Sequence, residues 1–222
     1  MPAILLNPLA VFAATLFLSA FLLFWVELMI GKMILPTFGG TPAVWNTCMF
    51  FFQIVLFVGY YYSHAMTSKL RLRWQLLVHG VLLVAAPLWF LFAPLGIYRG
   101  FEPPSHGYPA LWVLALLTLL IGLPFFVIST SAPLLQRWFG HTGHPAAKDP
   151  YFLYAASNLG SLLGLNGYIL MIEPVLTLKM QGIVWMICFA MLMALTGLCA
   201  YHARLGAPKS LLDPDPEPTP RP

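Results

Sequence analysis

Few side chains in this sequence could do chemistry, and most of those stand inside long apolar runs. Glu27 and Lys32 lie in the stretch Glu-Leu-Met-Ile-Gly-Lys, and Glu173 precedes Pro174 at the end of another such run. An ionisable group in or beside hydrocarbon is costly, so each is a candidate either for ion or substrate handling or for a fixed interhelical pair. Glu27 and Lys32 are about 140° apart around a regular helix, which makes them poor partners for each other unless the backbone bends at Gly31. Lys32 is better placed to pair with Glu173 of another helix, locking two spans.

A second set is polar but uncharged. Ser129, Thr130 and Ser131 stand between Pro124 and Pro133, where each proline frees backbone groups that neighbours must satisfy, so a break or kink is expected there. Asn158 follows the helix start Asp149-Pro150-Tyr151, with Asp149 as the cap and Pro150 in the first turn. These hydroxyls and Asn158 fall near the same ends of consecutive runs. They could line one polar pocket or simply bond between helices. Ala156, Gly160 and Gly164 recur every four residues, a smooth face on which another helix can approach closely.

Histidines and cysteines carry less. His64 and His79 could in principle supply two axial imidazoles to a haem, against the plainer reading of interfacial histidines bonded to backbone or headgroups. His141 and His144, in the loop Gly140-His141-Thr142-Gly143-His144-Pro145, resemble a metal site even less. Cys48, Cys188 and Cys199 sit singly in apolar runs and read as small buried hydrophobes, with neither a disulfide framework nor a zinc site.

The elements that position these residues follow from composition. The 222 residues are 60% hydrophobic and 8% charged, with a mean hydropathy of +0.83, where a soluble domain carries about 25% charged residues. Apolar runs of this length span about 30 Å of hydrocarbon as helix. Six are expected: Leu9 to Ile30, Ala43 to Ala65, Trp74 to Ala93, Pro109 to Ala132, Tyr151 to Ile172 and Met180 to Tyr201. Unbroken runs rather than alternating ten-residue strands select an all-α polytopic helical bundle. The first run has no positive flank and is too long for a signal peptide's core, so it is expected to be retained.

Six spans put both termini on one side. Lys69, Arg71, Arg73, Arg137, Lys148, Arg204, Lys209 and Arg221 fall on that side, and Lys32, Arg99 and Lys179 on the other. The excess of positive charge predicts cytoplasmic termini in an inner, cytoplasmic membrane. The formal charge of +4 is scattered over short loops, so nucleic acid is not an expected partner. Residues 1–205 are expected to form the membrane domain, and 206–222, rich in proline, an extended cytoplasmic tail that is either a tether or a solvated end. A short echo, Phe38-Gly39-Gly40-Thr41 against Phe139-Gly140-His141-Thr142, raises two three-helix units of opposite orientation.

Three stretches together resemble the membrane domain of bacterial spermidine-synthase-like proteins, also described as fused major-facilitator and spermidine-synthase proteins. They are Glu27 to Trp45, Gly122 to Phe139 and Asp149 to Pro174, the last with its Tyr154 to Gly160 portion being the most specific. The resemblance implies a transporter-like helical domain followed by a cytosolic Rossmann-like domain related to aminopropyltransferases. This sequence shows no glycine-rich nucleotide loop and no βαβ pattern, so that chemistry is not carried over. A catalytic domain encoded separately, lost or cut away is the expectation. The function expected is a non-catalytic membrane subunit that anchors or serves a membrane or cytosolic partner, or a homo-oligomer. The rivals are a transporter of polyamine or another cationic metabolite, and a redox or methyl-transfer subunit holding a cofactor.

Overall fold

The computed structural model describes residues 7–92 and 109–208. Six helices among them are long and apolar enough to cross a membrane, and the described residues contain no strand. They are α1 (Pro8–Phe38), α2 (Pro42–Lys69), α3 (Leu72–Phe92), α4 (Pro109–Phe139), α5 (Tyr151–Gly167) and α6 (Leu178–Gly206). α5 continues through a π-helical turn, Tyr168–Ile172, and one α turn, Glu173–Val175, so the fifth span covers Tyr151–Val175. The proline-rich residues 209–222 and Arg99 lie outside the described residues.

Local chemistry sets the helix starts. Asn7 accepts from the Leu9 amide at 3.0 Å, and Thr41 and Thr177 accept from Val44 and Met180 at 3.4 Å each, with proline in the first turn of α1 and α2. The fifth span starts differently from expectation. Pro150 holds the cap position, and Asp149, one residue earlier, receives only a long 3.5 Å bond from the Tyr151 amide.

α1 and α4 both run past their expected ends, α1 through Pro36 and α4 through Pro124 and Pro133. The break expected near Pro133 is absent: α4 is one helix to Phe139. The polar groups around the proline are re-bonded locally. Ser63 of α2 donates to the Thr130 carbonyl at 3.2 Å, while Ser129 and Thr130 donate to Phe126 and Val127 at 2.7 Å each.

α1 and α4 are the inner helices, each with 56% of its most apolar window buried, and α5 is the outermost at 17%. α5 lies along α1, α2 along α4, and α6 against α1. The core divides by depth. One cluster joins Phe12, Leu16, Leu72, Leu135, Trp138, Leu153 and Ala203; the other joins Trp25, Met29, Phe52, Phe125, Trp185 and Phe189. Lys69, Arg71, Arg73, Arg137, Lys148 and Arg204 ring the end beside the first cluster, whereas Lys32 and Lys179 stand at the opposite end.

The packing has an internal exchange. Swapping α1, α2 and α3 for α4, α5 and α6 turns the α1 with α5 interface into the α4 with α2 interface, the two largest in the molecule. α1 and α4 are both 31 residues long, running from Pro to Phe, and each is followed directly by a glycine, Gly39 and Gly140. A second echo lies further along. Leu70-Arg-Leu-Arg-Trp-Gln75 matches Leu176-Thr-Leu-Lys-Met-Gln181, and in both the glutamine Nε2 donates to the carbonyl of that leucine, at 2.8 and 2.9 Å. Three spans are an odd number, so the two units run in opposite directions across the bundle.

Candidate functional site

Lys32 and Glu173 meet. Lys32 Nζ stands 2.5 Å from Glu173 Oε1, and each side chain is a little over one-third exposed. A π-helical turn, Tyr168–Ile172, sits immediately before Glu173 at the C-terminal end of α5. Glu27 is half-buried on α1, with no hydrogen-bond or ion-pair partner among the described residues. The three groups therefore divide into a closed pair and a separate carboxyl.

Gly160 and Gly164 are buried and lie on the α1 backbone. A Cβ on Gly160 would overlap the Phe17 carbonyl, and one on Gly164 would sit 2.6 Å from the Phe21 oxygen. Ala156, half-buried, packs at the edge of the cluster that contains Leu153. Because Gly160 meets Phe17 and Gly164 meets Phe21, α5 and α1 run in parallel. At the far end of α1, Trp45 of α2 lies over Gly31, whose Cβ would come 3.0 Å from its ring.

Ser129, Thr130 and Ser131 are buried; Ser129 Oγ approaches the Val55 carbonyl of α2 at 3.4 Å, whereas Thr130 and Ser131 donate back to the Val127 carbonyl of their own helix at 2.7 and 3.4 Å. Asn158 is exposed on α5 and bonds to nothing among the described residues. These four residues are not brought together on one surface, since α5 packs on α1 while Ser129 faces α2 and Thr130 and Ser131 bond within α4. His64 and His79 differ in setting. His79 is buried between Tyr62 and Trp138, with ring centroids at 6.1 and 5.7 Å, whereas His64 stands two positions beyond Tyr62 on the exposed side of α2. Cys48 and Cys199 are buried and Cys188 is half-buried; all three are free. The described residues hold no metal-binding cluster of histidine, cysteine and acidic side chains.

Two crevices open at opposite ends. The smaller, about 130 Å³, is lined by Gly31, Leu35, Gly39, Gly40, Trp45 and Cys48 and is mainly apolar. The larger, about 590 Å³, opens at the basic end among Thr67, Gln75, Gln136, Arg137, His141 and Tyr154, with Pro133, Gly140, Ala147 and Pro150 completing the wall. That volume is in the range of small-molecule sites. Leu35, Gly39 and Gly40 on one side and Gln136, Gly140 and His141 on the other hold matching places after the Pro that starts α1 and α4. The crevices are thus counterparts under the internal exchange, one greasy and one polar. Partial burial, reinforced by the Arg137 charge, holds the His141 imidazole below its ordinary range.

The larger crevice was not legible from spacing, since its walls come from four separate segments. Gln75 is its one firmly fixed member, buried with Nε2 on the Leu70 carbonyl and Oε1 accepting from Trp138 Nε1 at 3.1 Å. Compared with models of known protein families, with curated proteins and with solved structures, the chain matches none of them.

Proposed function

We propose that this chain is a non-catalytic multi-pass subunit of the cytoplasmic membrane, with both termini in the cytosol, that holds a membrane-spanning partner against the outer face of α5. The observation that carries the reading is the exposure of amide side chains on a helix built for lipid. Asn158 and Asn166 stand outward among Tyr154, Leu159, Leu162 and Leu165. Asn166 returns its Nδ2 to the Leu162 carbonyl at 2.8 Å, and Asn158 has no bond among the described residues. Asn158 is about 10 Å inside the start of its span at 1.5 Å per residue, a depth at which an amide is best satisfied by another helix. The grouping of six basic residues at the end where α1 begins and α6 finishes supports cytosolic termini. The resemblance to spermidine-synthase-like membrane domains agrees with a partner that carries the chemistry.

The test is a mild-detergent pull-down of wild type and Asn158→Leu. A reproducible partner lost or weakened at least tenfold in the variant supports the subunit; a chain that migrates alone, or a partner indifferent to residue 158, overturns it.

The internal exchange of three-helix units favours one second reading, a transporter of cationic metabolites in which Glu27 and Glu173 attract the substrate. Reconstituted liposomes settle that reading: uptake of labelled polyamine that fails in Glu27→Gln supports it, and no uptake removes it.

A further inference from the structure

We infer that the polar crevice at the basic end is a binding site for an acidic group, the phosphate or carboxylate of a ligand held by Arg137. The internal exchange gives the first argument. Lys32 and Pro133 hold the same place in α1 and α4, and Glu173 and Thr67 stand the same distance before the paired glutamines Gln181 and Gln75. At one end, therefore, an ion pair joins the two helices. At the other, the same two positions carry Pro133 and Thr67, which have no charges to bring together, and both line the open crevice. What an ion pair between the two units closes at one end of the bundle is left open at the other.

The lining decides the sign of the guest. Among the described residues that line the crevice, the one permanently charged group is the Arg137 guanidinium and there is no Asp or Glu. No carboxylate among the described residues pairs with Arg137. Gln136 and Tyr154 add an amide and a phenol, and His141 keeps one ring N–H to donate when neutral. A guanidinium with a fork of donors matches two oxygens of a phosphate or carboxylate. A cation would meet an uncompensated Arg137, so the outer-side cation chemistry of Glu27 has no place here. Gln75 gives the wall its rigidity, since both ends of its amide are already bonded to Leu70 and Trp138. The site lies at the mouth of the bundle, so the acidic group could belong to an anionic lipid headgroup or to a soluble anion. The inference does not depend on the partner proposed for α5.

The experiment is thermal unfolding of the full chain in phosphatidylcholine nanodiscs at fixed ionic strength, in two arms. One titrates inorganic phosphate against chloride; the other replaces part of the phosphatidylcholine by phosphatidylglycerol. A rise in midpoint in the first arm marks a soluble anion, and a rise in the second alone marks a lipid. In either, Arg137→Gln should weaken the apparent affinity at least tenfold, while Arg73→Gln, a basic residue of the same end outside the crevice, should leave it unchanged. Tyr154→Phe provides a milder second variant, expected to weaken binding severalfold. Wild type that responds to neither additive, or Arg137→Gln and Arg73→Gln that respond alike, overturns the site.

Discussion

Lys32 of α1 and Glu173 at the end of the fifth span form the single ion pair among the described residues, 2.5 Å from nitrogen to oxygen. Because both side chains remain over one-third exposed, breaking the pair should cost less than the roughly 3–5 kcal/mol of a fully buried one, on the order of 1–3 kcal/mol. Glu173→Gln should lower the melting temperature in detergent by several degrees. Adding Lys32→Met should recover much of the loss, since the stranded ammonium is then gone. Two equal and additive losses would show that the pair contributes no coupling.

The α5 seat on α1 makes a sharper demand. Gly160→Ala and Gly164→Ala each drive a methyl into the backbone of Phe17 or Phe21, and overpacking of this kind costs about 1–3 kcal/mol. Gly167→Ala meets nothing within 4 Å and should be neutral or slightly stabilising, by up to about 1 kcal/mol, since alanine favours helix. Thermal scans of the three variants side by side test the seat, and a Gly160→Ala protein as stable as wild type would mean that α5 does not lie there.

These two cases mark what sequence made legible. The six spans follow from apolar runs alone, because only helix satisfies the backbone in hydrocarbon, and the four-residue spacing of Ala156, Gly160 and Gly164 reads as a packing face. Helix ends were less legible. Proline at 36 and 133 suggests termination, yet hydroxyls and neighbouring helices satisfy the freed groups and both helices continue. Which helix packs on which is harder still. Ser129 and Asn158 lie toward the same ends of consecutive spans, but Ser129 turns to α2 while α5 lies on α1, and no local pattern encodes that choice. The crevice around Arg137 depends on that same tertiary packing, since separate segments wall it.

Gln75 and Gln181 share a backbone bond but differ in their second atom. Gln75 Oε1 accepts from the buried Trp138 Nε1, whereas the buried Gln181 Oε1 has no partner among the described residues. Gln75→Leu strands an indole N–H and should cost about 1–3 kcal/mol. Trp138→Phe in the same chain should return part of it by removing the orphaned donor. Gln181→Leu removes only the bond to Leu176 and should cost about 1 kcal/mol. Equal losses at the two glutamines in chemical or thermal unfolding would contradict the unequal bonding.

The pH response should trace to His141. Burial, and then the Arg137 charge, depress its folded value below the ordinary 6.5, so between the two values the unfolded chain binds more protons than the folded one. Stability contributed by this residue is therefore intact above about 6.5 and declines as pH falls through the ordinary imidazole range, levelling off below the depressed folded value. His141→Gln should flatten that decline in melting temperature between neutral and mildly acidic pH. Arg137→Gln, which removes the second cause and leaves the burial, should shrink it without abolishing it. A slope unchanged in both variants would place the acid sensitivity elsewhere in the bundle.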